Sequence, residues 1–131
     1  MTTRKVLVVD DEPIMRELVR QVNNALGYET LQAADGLEGF HVYQNNLPDL
    51  VISDVYMPRS DGVQLLKNIR TIDPTARIIL MTGHAHFRMT EEKPLHRPNG
   101  FLLKPFALAE LMNMIQAILT NLKPEEKPEH V

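Results

Sequence analysis

"LVISDVYMPRSDG" runs from Leu50 to Gly62. It starts as an apolar run, reaches an acid at Asp54, and then breaks at Pro58 and Gly62. A strand that only fills a core ends on a turn residue with no further task. Either Asp54 marks the end of this strand, or the strand exists to hold Asp54 in place. Similar short runs lie at Val6 to Val9, Ile78 to Met81 and Gly100 to Leu103, with a weaker one at Tyr28 to Ala34. The Val6, Leu50 and Ile78 runs are rich in Val and Ile and show no polar alternation. That is the pattern of strands covered on both faces, as in a parallel sheet.

Segments of helical period lie between these runs. From Pro13, the residues Ile14, Leu18, Val22, Ala25 and Leu26 predict one apolar stripe, opened by proline and closed by Gly27. Helices are also expected at Gly36 to Asn45 and Gly62 to Thr71. Leu108, Leu111, Met112, Ile115, Ile118, Leu119 and Leu122 recur at i, i+3, i+4 and i+7 and mark the last helix. The alternation predicts an α/β domain: a doubly wound, five-stranded open parallel sheet with helices on both faces. The domain is expected to span residues 1–123, followed by a charged, proline-containing tail at 124–131.

Composition narrows the function. A chain of 131 residues can bury a real core without disulfides or a structural metal. It has no cysteine, which excludes a disulfide framework, a zinc–thiolate site and thiol catalysis. Lys and Arg number 14 against 17 Asp and Glu, a net charge of −3, so no basic footprint for nucleic acid exists. No apolar run approaches a membrane span, and "MTTRKVLVVDDE" lacks a signal-peptide core. The expectation is a soluble, cytoplasmic domain with neither direct nucleic-acid binding nor a membrane partner.

Polar residues stand at the carboxyl ends of four predicted strands: Asp10-Asp11, Asp54, Thr82 and Lys104. In a doubly wound sheet that edge is where ligands bind, near the point where strand order reverses. Three carboxylates there would repel each other unless cations intervene, and Lys104 supplies one positive charge. An acidic, all-oxygen site suits Mg²⁺, which takes one or two carboxylates and leaves positions for other oxygens. Metal, ammonium and hydroxyl together could neutralise a transferring phosphoryl group. The nucleophile would be a carboxylate, since no Ser, Cys or His is equally well placed.

"VLVVDDEP", "LVISDVYMPRSDG", "IILMTGHA" and "FLLKPF" together resemble the receiver domain of response regulators in two-component systems. The resemblance covers residues 4–122 in the family's order and spacing. It implies a flavodoxin-like strand order, 2-1-3-4-5, of the kind found in chemotaxis regulators. It also implies that Asp54 accepts a phosphoryl group from a sensor histidine kinase, a phosphotransfer protein of a phosphorelay, or a small phosphodonor. Asp11 would bind Mg²⁺ directly, Asp10 mainly through water, and Asp54 and the backbone carbonyl of Tyr56 would complete the protein's share. Lys104 would pair with Asp54 and then with the phosphate. Thr82 would hydrogen-bond a phosphate oxygen, and Phe101 would swing inward behind it. The family's cis bond would fall at Lys104-Pro105 and aim the ammonium at the site. Kinase docking would use Ile14, Met15 and the Pro105-Phe106 loop.

One segment departs from the pattern. Receiver domains place their fourth helix within "HAHFRMTEEKPLHRPNG", His84 to Gly100, but Pro94 and Pro98 interrupt it here. Each would remove a bond from a helix interior at a cost of about 3 kcal/mol. An atypical, short or partly disordered fourth helix is expected, and with it an altered output surface. His84, His86 and His96 read as solvated side chains rather than metal ligands. A phosphatase of the haloacid dehalogenase type would need an acid where Tyr56 stands. A flavodoxin-like cofactor carrier would need a phosphate-cradling loop in place of "DDEP". A receiver-like interaction module that no longer uses phosphate stays as the alternative. The expected role is a signalling switch rather than a turnover enzyme, with an unknown downstream effector or attached output domain and a phosphorylation-dependent dimer among its states. No helix-turn-helix pattern follows Leu122, so the sequence reads as a stand-alone regulator or as part of a longer protein.

Overall fold

A computed structural model describes residues 3–88 and 93–120. The chain alternates β1 (Lys5–Val9), α1 (Pro13–Ala25), β2 (Glu29–Ala33), α2 (Gly36–Asn46), β3 (Leu50–Asp54), α3 (Gly62–Ile72), β4 (Ile78–Thr82), β5 (Gly100–Leu103) and α4 (Leu108–Thr120). The five strands form one parallel sheet in the order β2-β1-β3-β4-β5, as predicted. The expected domain boundary at 123 and the tail at 124–131 lie outside the described residues.

Strand periodicity divides the core into two layers. Val6 and Val8 of β1, Leu50 and Ile52 of β3, and Ile79 and Met81 of β4 face α1 and α4, where Val19, Ile115 and Leu119 meet them. Leu7, Val9, Val51, Ile78 and Leu80 face the other way, onto Tyr43 of α2 and Leu65, Leu66 and Ile69 of α3. Because both faces are covered, every residue of β3 and β4 is buried. Alternation of polar and apolar residues is therefore missing from the sequence.

The helix termini use local chemistry. Pro13 opens α1 and Gly27 closes it at φ +85°, a left-handed conformation that suits glycine. Asp35 caps α2 by accepting from the Glu38 amide at 2.9 Å, while the Glu38 carboxylate accepts from the Ala34 amide at 2.8 Å. Asp61 caps α3 through the Gln64 amide at 2.8 Å.

The apolar stripe of α1 corrects the sequence reading. The buried residues are Val19, Val22 and Asn23, with Met15 and Leu26 packed beside them, whereas Ile14 is 85 % exposed and Ala25 is exposed. Two apolar ridges about one residue apart lie on this helix, and only docking on the sheet selects between them. Leu108 is likewise exposed, so the buried line of α4 is Leu111, Ile115 and Leu119.

Between β4 and β5 the described residues contain no α-helix. Phe87 closes a turn on His84, and Pro94–His96 form a single 3-10 turn that the proline begins. Backbone carbonyls here need donors, and a buried cation supplies them. Arg70 of α3 donates from Nη1 to the Leu95 carbonyl at 2.7 Å and the Arg97 carbonyl at 3.0 Å. Its Nε donates to the Ala76 carbonyl at 2.8 Å and its Nη2 to Asn99 Oδ1 at 2.9 Å. Asn99 Oδ1 also accepts from the Ile78 amide at 2.8 Å, tying this segment to the start of β4. The expected atypical fourth helix is thus, at its C-terminal end, an irregular strap pinned by α3.

Candidate functional site

The sheet register sets the site. Val9 pairs with Ser53, so the next residues, Asp10 and Asp54, leave neighbouring strands side by side. Sheet order reverses at this β1–β3 boundary, where an open α/β sheet leaves a crevice. Thr82 ends β4 next to them, and Lys104 follows β5. Residues almost a hundred positions apart in sequence share one edge.

The distances are short. Carboxylate oxygens of Asp10, Asp11 and Asp54 all lie within 4.8 Å of one another. Lys104 Nζ stands 3.1 Å from Asp10 Oδ2, 3.6 Å from Asp54 Oδ2 and 3.5 Å from Glu12 Oε1. The Lys104-Pro105 bond is cis, as expected. Asp10 is fully buried, Asp54 is 8 % exposed and Asp11 is exposed. One carboxylate is therefore sealed in, one is open, and the phosphoacceptor candidate sits at the threshold. Ser53 Oγ donates to the Asp54 carbonyl at 2.9 Å, and the Val55 amide donates to the Met81 carbonyl at 2.8 Å, fixing the end of β3.

Burial dominates the electrostatics. Desolvation raises the Asp54 carboxyl to about 6; Lys104 opposes the shift and Asp10 adds to it. Desolvation also raises Asp10, against the Glu12 amide and Lys104. Burial alone would lower Lys104, but the bond to Asp10 and the charges of Asp10, Asp54 and Glu12 outweigh it, and its pKa rises. One ammonium among these carboxylates leaves the cluster short of positive charge. An all-oxygen donor set in that condition fits a hard divalent cation such as Mg²⁺.

The native state holds the Asp54 proton to about pH 6, whereas the ordinary value is 3.8. In chelator, this group's stabilising contribution is fully present below pH 4 and is lost as pH rises through about 6. Asp54→Asn has no such proton to lose. It should exceed wild type by about 2 kcal/mol in urea unfolding at pH 7.5, with the gap closing near pH 4. An equal gap at both pH values would refute the assignment.

The other predicted residues fall nearby. Thr82 is fully buried, and its Oγ1 accepts from the His84 amide at 3.1 Å. Phe101 is 39 % exposed and stacks on Phe87 at 5.7 Å between ring centroids. Phe87 meets Tyr56 edge-on at 5.9 Å, and Tyr56 lies 4.3 Å from the His84 ring. A row of rings thus runs from β5 to the loop after β3. The sequence reading gave no role to Glu12, which faces Lys104, or to Arg59, whose Nε donates to Asp35 Oδ2 at 3.0 Å. That second pair ties the loop after β3 to the start of α2, and no spacing rule signals it.

A family model for the response regulator receiver domain matches residues 6–116. The chain belongs to this family. Sporulation initiation phosphotransferase F of Bacillus subtilis is 34 % identical to this receiver over 119 residues, covering 91 % of the chain and 96 % of that protein. Response regulator MprA of a Mycobacterium species is 34 % identical over 125 residues, 95 % of the receiver but 54 % of MprA. The receiver thus spans about half the length of that relative and nearly all of the other. The structure of response regulator protein TrrA from Thermotoga maritima, in complex with Mg²⁺-BeF, matches with a TM-score of 0.80 at 32 % identity, covering 88 % of the receiver and 99 % of that chain. Among the described residues, no helix is long and apolar enough to cross a membrane.

Proposed function

We propose that this receiver is a Mg²⁺-dependent phosphoacceptor switch and that Asp54 takes the phosphoryl group. The observation that carries this reading is Asp54 itself, 8 % exposed at the end of β3, within 4.8 Å of Asp10 and Asp11 oxygens and 3.6 Å from the Lys104 ammonium. The carboxylate oxygen attacks phosphorus, and the bond from phosphorus to the donor breaks with its electron pair leaving on the donor. Asp10, Asp11, Asp54 and the Tyr56 carbonyl would hold Mg²⁺, which would supply charge neutralisation for the phosphoryl oxygens. Lys104 turns its ammonium from Asp54 to a phosphoryl oxygen, and the Thr82 hydroxyl donates to another. Phe101 then leaves Phe87 and moves inward behind Thr82. Water later attacks phosphorus, releasing inorganic phosphate and restoring the carboxylate.

The donor is a sensor histidine kinase or phosphotransfer protein. A hollow lined by Pro13, Ile14, Glu17, Leu18 and Gln21, together with the Pro105-Phe106 loop, offers the docking surface. Ile14, 85 % exposed, is accessible to a partner at this hollow. The switch works in the cytoplasm, its receiver unit spans 1–123, and the phosphorylated form changes its surface toward a downstream effector, an output domain or a second copy. It binds no nucleic acid itself.

Intact mass after incubation with acetyl phosphate tests the reading. The expected result is a gain of one phosphoryl group that needs Mg²⁺ and disappears in Asp54→Asn. A folded, Mg²⁺-loaded protein that gains nothing from acetyl phosphate or from candidate kinases would favour the interaction module that does not use phosphate.

A further inference from the structure

Arg16 occupies an unusual place for a cation. It is the fourth residue of α1, in the helix's first turns, where the macrodipole favours acids. Its Nη1 donates to the backbone carbonyl of Asp10 at 2.7 Å, and its Nε donates to Gln32 Oε1 on β2 at 3.2 Å. The Asp10 carbonyl belongs to the peptide that carries the Asp11 nitrogen. Holding that carbonyl therefore sets the plane from which Asp11 departs.

The remaining polar atoms of Asp10 are held as well. Its amide donates to the Ala33 carbonyl at 3.1 Å, its Oδ1 accepts from the Glu12 amide at 2.9 Å, and its Oδ2 accepts from Lys104 at 3.1 Å. Asp11, by contrast, is exposed, and no hydrogen bond fixes its carboxylate among those described. Its direction depends on the peptide before it. We propose that Arg16 is a positioning residue for the metal site, holding the Asp10-Asp11 peptide so that the Asp11 carboxylate converges with those of Asp10 and Asp54. This inference rests on the Mg²⁺ reading above.

A guanidinium beside an acidic cluster could act in two ways, and these move affinity in opposite directions. As a bare charge it repels Mg²⁺, so neutralising it tightens binding. As a positioner it preorganises a ligand, so removing it weakens binding. Partners behind metal ligands typically change affinity 10- to 100-fold. That exceeds the repulsion expected from one solvent-screened charge. The positioning effect should win.

The test is calorimetric titration of the full chain with MgCl₂ at pH 7.5, comparing wild type with Arg16→Gln, Arg16→Met and Arg16→Lys. The Gln and Met variants should bind Mg²⁺ about 10-fold more weakly. The Lys variant should fall between them and wild type, since an ammonium keeps the charge but lacks the fork that spans both acceptors. Urea unfolding in chelator reads folding separately from affinity. Any of the three that folds and binds Mg²⁺ as tightly as wild type, or more tightly, overturns the inference. A wild type that binds no Mg²⁺ overturns the metal-site reading and this inference with it.

Discussion

Arg70→Met lowers the unfolding free energy by about 3 kcal/mol, the largest loss expected from any single side chain outside the apolar core. Arg70 is 5 % exposed and donates to three backbone carbonyls and to Asn99 Oδ1. Methionine fills similar volume but donates nothing, so the carbonyls of Ala76, Leu95 and Arg97 lose their donor. Two effects oppose each other. Burial of the guanidinium is costly, and that desolvation lowers its pKa against the pull of the Asp73 charge; methionine removes this cost. A stranded buried carbonyl such as that of Ala76 costs roughly 1–3 kcal/mol; those of Leu95 and Arg97, on exposed residues, add less, and together with the lost tether they outweigh the relief. A melting temperature lower by about 10 °C is expected, with amide protection lost first around residues 95–99. Aspartyl phosphorylation should survive below the melt, because the strap lies away from the carboxylate cluster. A variant as stable as wild type would show that the clamp contributes nothing net.

Gly62→Ala produces the second large effect, and its sign is diagnostic. In an ordinary helix the change to alanine stabilises by about 1 kcal/mol. Here a Cβ on Gly62 would lie 2.2 Å from the Asp54 carbonyl oxygen and 3.0 Å from Ser53 Oγ. The Gly62 amide also donates to the Val55 carbonyl at 2.8 Å, so the start of α3 cannot back away without losing that bond. Overpacking against backbone costs about 1–3 kcal/mol and exceeds the propensity gain. A net loss of about 2 kcal/mol in urea unfolding is expected, together with slower phosphorylation from acetyl phosphate, because the displaced backbone carries Asp54. A stabilised variant with unchanged phosphorylation would mean that α3 accommodates the methyl freely.

The two variants separate what this receiver uses for chemistry from what it uses for its altered fourth-helix region. Gly62 supports Asp54, the proposed phosphoacceptor, from behind, whereas Arg70 supports the strap before β5. The first should affect both stability and phosphorylation; the second should affect stability almost alone.

Most of the site was legible in the sequence, because its residues follow runs that can only be covered strands. Asp10, Asp54, Thr82 and Lys104 each sit at the end of such a run, and in a parallel sheet all the carboxyl ends share one edge. Parallel strands put them on one edge, and the pairing of β1 with β3 and of β3 with β4 makes them neighbours. The irregular course of the described residues before β5 was legible too, since Pro94 and Pro98 exclude a regular helix there through their own stereochemistry. Tertiary structure decided matters that depend on which of two equivalent local choices finds a neighbour. Ile14 and Val19 offered α1 two apolar ridges, and the sheet surface selected Val19 while leaving Ile14 to solvent. Arg70 lies one helical turn from the buried Leu66, a position that reads as core, and only the carbonyls of the strap make a charge tolerable there. Arg16 follows the same rule beside the carboxylates: its donors matter because folding delivers the Asp10 carbonyl to them. Strand positions and the chemistry at strand ends arise from the period and type of neighbouring residues, which sequence carries directly. Strand order, by contrast, was expected only through the resemblance to the receiver family and is set by tertiary pairing. The partners of buried cations come from distant segments, so they exist only once the chain has folded.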